Sequence, residues 1–241
     1  MTGTKKSAPA KRPKARTAAS AAAAATPLVM PGVRPVVFLD ANILIPEYLR
    51  SIFLELSEAG LLQANWSEGV LVETRRNLID LEGRFGLDAV RVDRMLKLMR
   101  SHFPQALVLG SEGLVPQFVG RTDPKDEHVA AGALKRSKAV YGGEPVVLVT
   151  SNVTDLPQAA FAGTKVRVAR PGRLLAELVN AEPGVAAVIE AGQQQALIPA
   201  GVGHQAIVRV DAQRADEEVG GQARLTHHFF LRLHLVAQQF Q

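Results

Sequence analysis

Acidic side chains follow two apolar runs of the sequence, one directly and one after a short polar stretch. Asp40 comes directly after the run 36–39, and Asp155 ends a polar stretch that follows the run 146–149. If both runs are parallel strands, their carboxyl ends lie at one edge of a sheet, where open α/β sheets bind ligands. Two ordinary roles compete with a ligand site. Asp40 could cap a helix, although Asn42 fits that role better, and the polar stretch could be a turn that bonds its own backbone.

Three further acids stand in predicted helices. Asp123 and Asp126 open a helix, where negative charge complements the helix dipole, and small residues at 130–133 would let that helix approach a sheet closely. Glu73 falls on the apolar side of a helix predicted over 70–81. An acid on that side is usually exposed or needs a partner, and a metal ion would be one such partner.

From residue 35 onward, short apolar runs alternate with helical periodicity, which predicts an α/β fold around a parallel sheet. The runs predict four strands, and the periodicities predict four helices: strands at 36–39, 106–109, 146–149 and 166–168, and helices near 49–61, 70–81, 90–99 and 129–134. Beyond about residue 181 the pattern predicts a short helix from Val185 that Gly192 could end, and then strands at 207–210 and 231–235.

The chain has 241 residues, of which 47% are hydrophobic and 21% are charged, so it can bury a core of ordinary size. Collagen-like and fully disordered classes are thereby excluded. Cysteine is absent, which excludes cysteine nucleophiles and thiolate metal sites and suits a reducing compartment. No stretch reaches the roughly 20 strongly apolar residues that span a bilayer, so we expect no membrane association.

The positive charge is concentrated at the start of the sequence. Residues 1–32 hold six lysines and arginines and no acid, whereas the other 22 of the chain's 28 basic residues are balanced by 23 acidic ones. This Ala/Pro-rich composition predicts a disordered basic tail, which would add salt-dependent affinity for nucleic acid. Its alanines are too weakly apolar for an export signal, so we expect a cytoplasmic protein. After this tail, the sequence predicts an α/β domain over 33–180 and a C-terminal extension over 181–241 whose structure the pattern does not define.

The acidic motifs, taken in their order along the chain, resemble those of a known protein family. Residues 38–42, Glu73, Asp126 with its small-residue helix, and the segment 150–155 are similar to the motifs of PIN-domain nucleases. The similarity covers about 35–180 and is closest to bacterial single-domain proteins related to the VapC-type toxin ribonucleases. It implies a three-layer α/β/α fold with a central parallel sheet.

The resemblance also implies a site of four acids that bind Mg²⁺ or Mn²⁺ and act in catalysis, with four polar neighbours that assist them: Asp40, Glu73, Asp126 and Asp155, then Asn42, Asp123, Thr150 and Asn152. Converging carboxylates repel one another, and a hard divalent cation relieves that repulsion and lowers the pKa of a bound water. The implied reaction is hydrolysis of RNA phosphodiesters. The implied partners are RNA, an antitoxin protein and a second copy of the chain in a homodimer.

Basic residues of the predicted domain are candidates for contacts with RNA phosphates: Arg75, Arg76, Arg121, Lys125, Lys135, Arg136 and Lys138. A haloacid-type phosphatase would need a second Asp where Asn42 stands, and neither a dinucleotide-binding nor a phosphate-loop glycine motif is present. The alternative that stays open is a PIN-like protein that binds nucleic acid or a protein partner with little or no catalysis. Such a protein would be expected to have lost one of the acids, and all four positions are acidic.

Overall fold

A computed structural model describes residues 27–80, 87–141, 143–182 and 184–196. Its centre is a five-stranded sheet in the order β3-β2-β1-β4-β5, in which every neighbouring pair is parallel. The strands are β1 (Val36–Leu39), β2 (Gln63–Ser67), β3 (Leu107–Val108), β4 (Val146–Val149) and β5 (Val166–Ala169). The predicted α/β class with a central parallel sheet is confirmed.

Seven α-helices of the described ranges flank this sheet: α1 (Ala41–Leu44), α2 (Glu47–Glu58), α3 (Glu68–Asp80), α4 (Ala89–His102), α5 (Glu127–Ser137), α6 (Pro171–Ala181) and α7 (Gly184–Ala196). Short 3₁₀ turns occupy Glu112–Gln117, Pro124–Asp126 and Gln158–Phe161. Helix α5 packs across the sheet, and α2 packs against β2 and α7. None of the helices in the described ranges is long and apolar enough to cross a membrane.

Strand β2 was not predicted from the sequence, because its residues Gln63–Ser67 are mostly polar. The strand is nevertheless buried between β1 and β3. The side chain of Asn65 explains how a polar residue is accommodated there: its amide donates to the Val37 carbonyl at 3.2 Å, and its oxygen accepts from Arg136 Nε at 3.0 Å. Satisfied hydrogen bonds of this kind remove most of the cost of burying an amide.

Close helix contacts fix the position of α5. A Cβ atom at Gly132 would lie only 2.4 Å from the ring of Phe38, so glycine lets α5 approach β1 closely, as the small residues predicted. A Cβ atom at Gly69 would likewise lie 2.8 Å from the His128 ring, so glycine also brings α3 close to α5. Together these contacts place the beginnings of α3 and α5 beside the carboxyl end of β1.

The described ends of the chain are packed against the domain. The backbone N–H groups of Leu28 and Val29 donate to the Glu177 carboxylate, and the Pro27 carbonyl accepts from Arg167 at 2.6 Å. Residues 27–29, which the sequence places in the tail, therefore contact the domain, and residues 1–26 lie outside the described residues. Helix α7 continues past Gly192 to Ala196, which is longer than predicted. The strands predicted at 207–210 and 231–235 also lie outside the described residues.

Candidate active site

Asp40 stands at the centre of the candidate site, immediately after β1, and it is only 3% exposed. It occupies the position before α1, but its side chain makes no capping hydrogen bond. Its Oδ2 atom instead accepts from the Asn42 amide and from Thr150 Oγ1, the latter at 2.7 Å. Asn42 is not the helix cap either: its Oδ1 accepts from the Ser151 backbone N–H at 3.0 Å. These bonds tie the carboxyl ends of β1 and β4 together.

Asp126 is a second buried acid of the site, at the end of the 3₁₀ turn that leads into α5. The residue is 6% exposed, and its Oδ2 atom is buried with no hydrogen-bond partner. Burial, together with the negative charges of Asp40 and Glu73, raises the pKa of Asp126 to about 6, against the opposing charge of Lys125. Burial also raises the pKa of Asp40, and Glu73 acts in the same direction. The carboxylates of Asp40, Glu73 and Asp126 are therefore close enough to interact electrostatically.

Glu73 lies on α3 opposite His128 of α5, with 3.3 Å between Glu73 Oε2 and His128 Nε2. The two atoms form an ion pair without the alignment of a hydrogen bond, since each is buried and lacks a hydrogen-bond partner. Burial lowers the pKa of His128, but the contact with Glu73 and the charge of Asp40 outweigh burial, so the net shift is upward. The contact with Glu73 thus favours the protonated form of His128 beside the acids.

Asp155 belongs to an outer group at the rim. Its Oδ2 atom accepts from Lys125 Nζ at 3.0 Å and from the Asn152 amide. The hydrogen bond from Lys125, with that from Asn152, lowers the pKa of Asp155. Asp123 caps the 3₁₀ turn by accepting from the Lys125 backbone N–H at 3.1 Å. The outer and inner groups meet where the Asn152 backbone N–H donates to Thr150 Oγ1 at 2.9 Å.

The donor chemistry of the inner group fits a hard divalent cation. Glu73 and Asp126 each hold a buried carboxylate oxygen without a hydrogen-bond partner, and oxygen ligands are what Mg²⁺ and Mn²⁺ take in proteins. Within the ranges that the structure describes, however, no three His, Asp or Glu side chains are arranged to hold a metal ion. The side chains therefore supply suitable donor atoms but not a closed coordination set.

All eight predicted site residues lie at this edge of the sheet, in two groups. The inner group joins Asp40, Asn42 and Thr150 by direct hydrogen bonds, and Glu73 and Asp126 by charge. The outer group contains Asp123, Asn152 and Asp155. The sequence did not predict that His128 pairs with Glu73, because no local spacing relates residues on different helices.

Three of the basic residues predicted to contact phosphate are already paired with acids. Arg75 pairs with Asp93, Lys125 with Asp155, and Arg136 with Glu144. Arg136 has a structural role, since it also bonds Asn65 in β2 and its side chain is only 13% exposed. Lys125 is the one of these three beside the acids, and its side chain is 62% exposed.

Comparison of the chain with models of known protein families, with curated proteins and with solved structures finds no match. No comparison identifies a PIN domain, so the resemblance to PIN-domain nucleases stays an expectation drawn from the four acidic motifs of the sequence.

Proposed function

We propose that this protein is a PIN-type, three-layer α/β/α endoribonuclease that hydrolyses RNA phosphodiesters with the help of Mg²⁺ or Mn²⁺. The observation that supports the proposal best is Asp126, a buried acid with an unpartnered oxygen and a pKa raised to about 6, coupled to Asp40 and Glu73. Buried polar atoms are normally satisfied, and acids left in this condition occur preferentially at functional sites.

Each inner residue has a distinct part in this proposal. Asp40, Glu73 and Asp126 would hold the cation, with Asp155 as a fourth acid at the rim. When bound, the cation lowers the pKa of a water molecule and neutralises charge that develops on the phosphodiester. Thr150 and Asn42 orient the Asp40 carboxylate by donating to its Oδ2 atom.

Positive charges balance the site at two points. His128 stands beside Glu73, with 3.3 Å between its Nε2 atom and Glu73 Oε2. Lys125 lies at the rim, and a substrate phosphate would compete with Asp155 for its ammonium group. Lys125 would then help to place the phosphodiester over the inner acids.

The test is cleavage of a labelled RNA panel with Mn²⁺ or Mg²⁺, and with EDTA, by the wild type and by Asp126→Asn. The matched control is Asp93→Asn, which removes an exposed carboxylate that pairs with Arg75. We expect cleavage by the wild type and by the control, and none by Asp126→Asn or in EDTA. Equal cleavage by both variants, insensitive to EDTA, would contradict the proposal and indicate a contaminating nuclease.

A second candidate is a PIN-like protein that binds RNA or a protein partner without cleaving RNA. Two observations favour it: the described residues form no closed metal-binding set, and Lys125 already neutralises Asp155. A folded wild type that binds RNA but leaves it intact with either metal would support this candidate. An antitoxin that covers the acids, and a homodimer, are partners that the nuclease proposal brings with it, and co-purification and light scattering would test them.

A further inference from the structure

An apolar groove of about 650 Å³ opens between α2, α6 and α7. Its walls include Tyr48 and Ile52 of α2, Leu175 of α6, Ile189 of α7, and Ser151, which follows β4. The volume is in the range of ordinary small-ligand clefts. The groove lies outside the acid cluster and has no part in the roles proposed above.

The groove adjoins the acid cluster through Ser151. The Ser151 backbone N–H donates to Asn42 Oδ1 at 3.0 Å, and the Asn42 amide donates to the Asp40 carboxylate. One wall of the groove is thus two hydrogen bonds away from the central acid. A polymer whose phosphodiester lies at Asp40 must continue across the neighbouring surface, and the groove forms part of that surface.

The chemistry of the groove walls favours the bases of such a polymer over its phosphates. None of the residues that line the groove is charged, so the groove has no counter-ion for a phosphate. Tyr48 is 60% exposed and offers a ring face for stacking, while Ser151 and Asn180 supply polar edges. Arg170 stands at the rim, where it is exposed and donates to the Ser151 carbonyl at 2.9 Å. The uncharged groove is suited to bind a nucleobase, and the neighbouring Arg170 is suited to bind the phosphate that follows it.

We propose that this groove binds an unpaired nucleobase of the RNA strand, next to the phosphodiester held at Asp40, and that the Tyr48 ring stacks on that base. Arg170 contacts the phosphate between the two positions. A base held in a duplex is stacked and paired, whereas aromatic side chains read bases that are splayed out of single strands. The subsite therefore selects single-stranded RNA. This inference rests on the proposed function for the position of the reacting phosphate.

The test compares Tyr48→Ala and Tyr48→Phe in the full-length chain. Tyr141, the chain's other tyrosine, is fully exposed on the turn after α5, so Tyr141→Ala is the matched control. Binding of a short fluorescent single-stranded RNA, and of a duplex of the same length, is measured by anisotropy in EDTA. Loss of one stacked base weakens binding by about tenfold, and we expect that loss for the single strand in Tyr48→Ala only.

Tyr48→Phe keeps the ring, so it should bind the single strand like the wild type. Single-strand affinity unchanged in Tyr48→Ala would overturn the inference. So would an equal loss for duplex RNA. A change in melting temperature without a change in RNA affinity would also overturn it, because Tyr48 would then serve the stability of the chain and not the binding of RNA. The two proposals fail separately. Tyr48-dependent binding without metal-dependent cleavage would overturn only the nuclease activity, and cleavage with Tyr48-independent binding would overturn only the subsite.

Discussion

Buried carboxylates with raised pKas occur in two regions of this protein, and only one of them has the form of a catalytic site. Burial, with neighbouring negative charge, raises the pKa of Asp126 to about 6 at the carboxyl edge of the sheet. Burial likewise raises the pKa of Glu55 on α2 to about 7, with a smaller contribution from Glu58. Each residue is less than a tenth exposed, and each has a buried oxygen without a hydrogen-bond partner.

The two regions differ in what surrounds the acid. Asp126 faces carboxylates carried by other elements, Asp40 after β1 and Glu73 on α3. The charged neighbour of Glu55 is Glu58, one turn along the same helix, and Glu58 is in turn paired with His102 of α4 at 3.2 Å. A raised pKa therefore shows only that burial makes the ionised form of the acid unfavourable in the folded protein. Convergence of acids from separate elements at the strand ends is what indicates chemistry.

The largest effect expected from this comparison is on catalysis at the sheet edge. Asp40→Asn removes the central charge but keeps the shape that accepts from Thr150 and Asn42. A cation-stabilised transition state is worth several kcal/mol, so we expect kcat/KM for RNA cleavage to fall by at least about 100-fold. Steady-state cleavage with Mn²⁺ measures this, and the melting temperature shows that the variant is folded.

Glu55→Gln is the matched control for that experiment. It neutralises a buried acid of the same electrostatic type on α2, and we expect cleavage at the wild-type rate. If Asp40→Asn kept its activity while Glu55→Gln lost it, the assignment of the two regions would be reversed.

The second prediction concerns the stability cost of Glu55. Its pKa is about 7 in the folded protein, above the ordinary value of 4.5. The folded state therefore binds more protons than the unfolded state between these values, and the free energy of unfolding falls as the pH rises through that window. We expect Glu55→Gln to be more stable than the wild type by about 1 to 3 kcal/mol at about pH 8, with little gain near pH 4.5.

Urea unfolding of both proteins at the two pH values measures the difference. The pair of Glu58 and His102 is present in both proteins, so its contribution to the two stability curves largely cancels. A wild-type stability that stays level from acid to alkaline pH, with no gain in the variant, would show that water or a rearranged side chain already solvates Glu55.

The features that sequence predicted correctly are those encoded locally. The apolar runs before Asp40 and Thr150 are β1 and β4, and the small residues around Gly132 allow the contact of α5 with β1. Runs and spacings of this kind are set by neighbouring residues along the chain. The α/β class and the edge at which the acids lie could therefore be predicted.

The features that could not be predicted from the sequence depend on contacts between residues that are distant along the chain. Strand β2 is polar, and its burial depends on the contact of Asn65 with Arg136, which is distant in sequence. The pairing of Glu73 with His128 requires the close approach of two helices at Gly69. Glu55 lies within an apolar helix pattern that gives no sign of its burial. Each of these features is a property of the packed structure rather than of any single segment.

The smallest expected effect is at Asp155, an acid of the site that lacks the raised pKa of Asp40 and Asp126. Lys125 and Asn152 lower the pKa of this carboxylate, and its side chain is 28% exposed. Because solvent screens it and Lys125 already balances its charge, we expect Asp155→Asn to lower kcat/KM by about tenfold or less. Cleavage assays beside Asp40→Asn, at low and high salt, measure this. A loss as large as that of Asp40→Asn would place Asp155 in the inner group and show that Lys125 moves away when RNA binds.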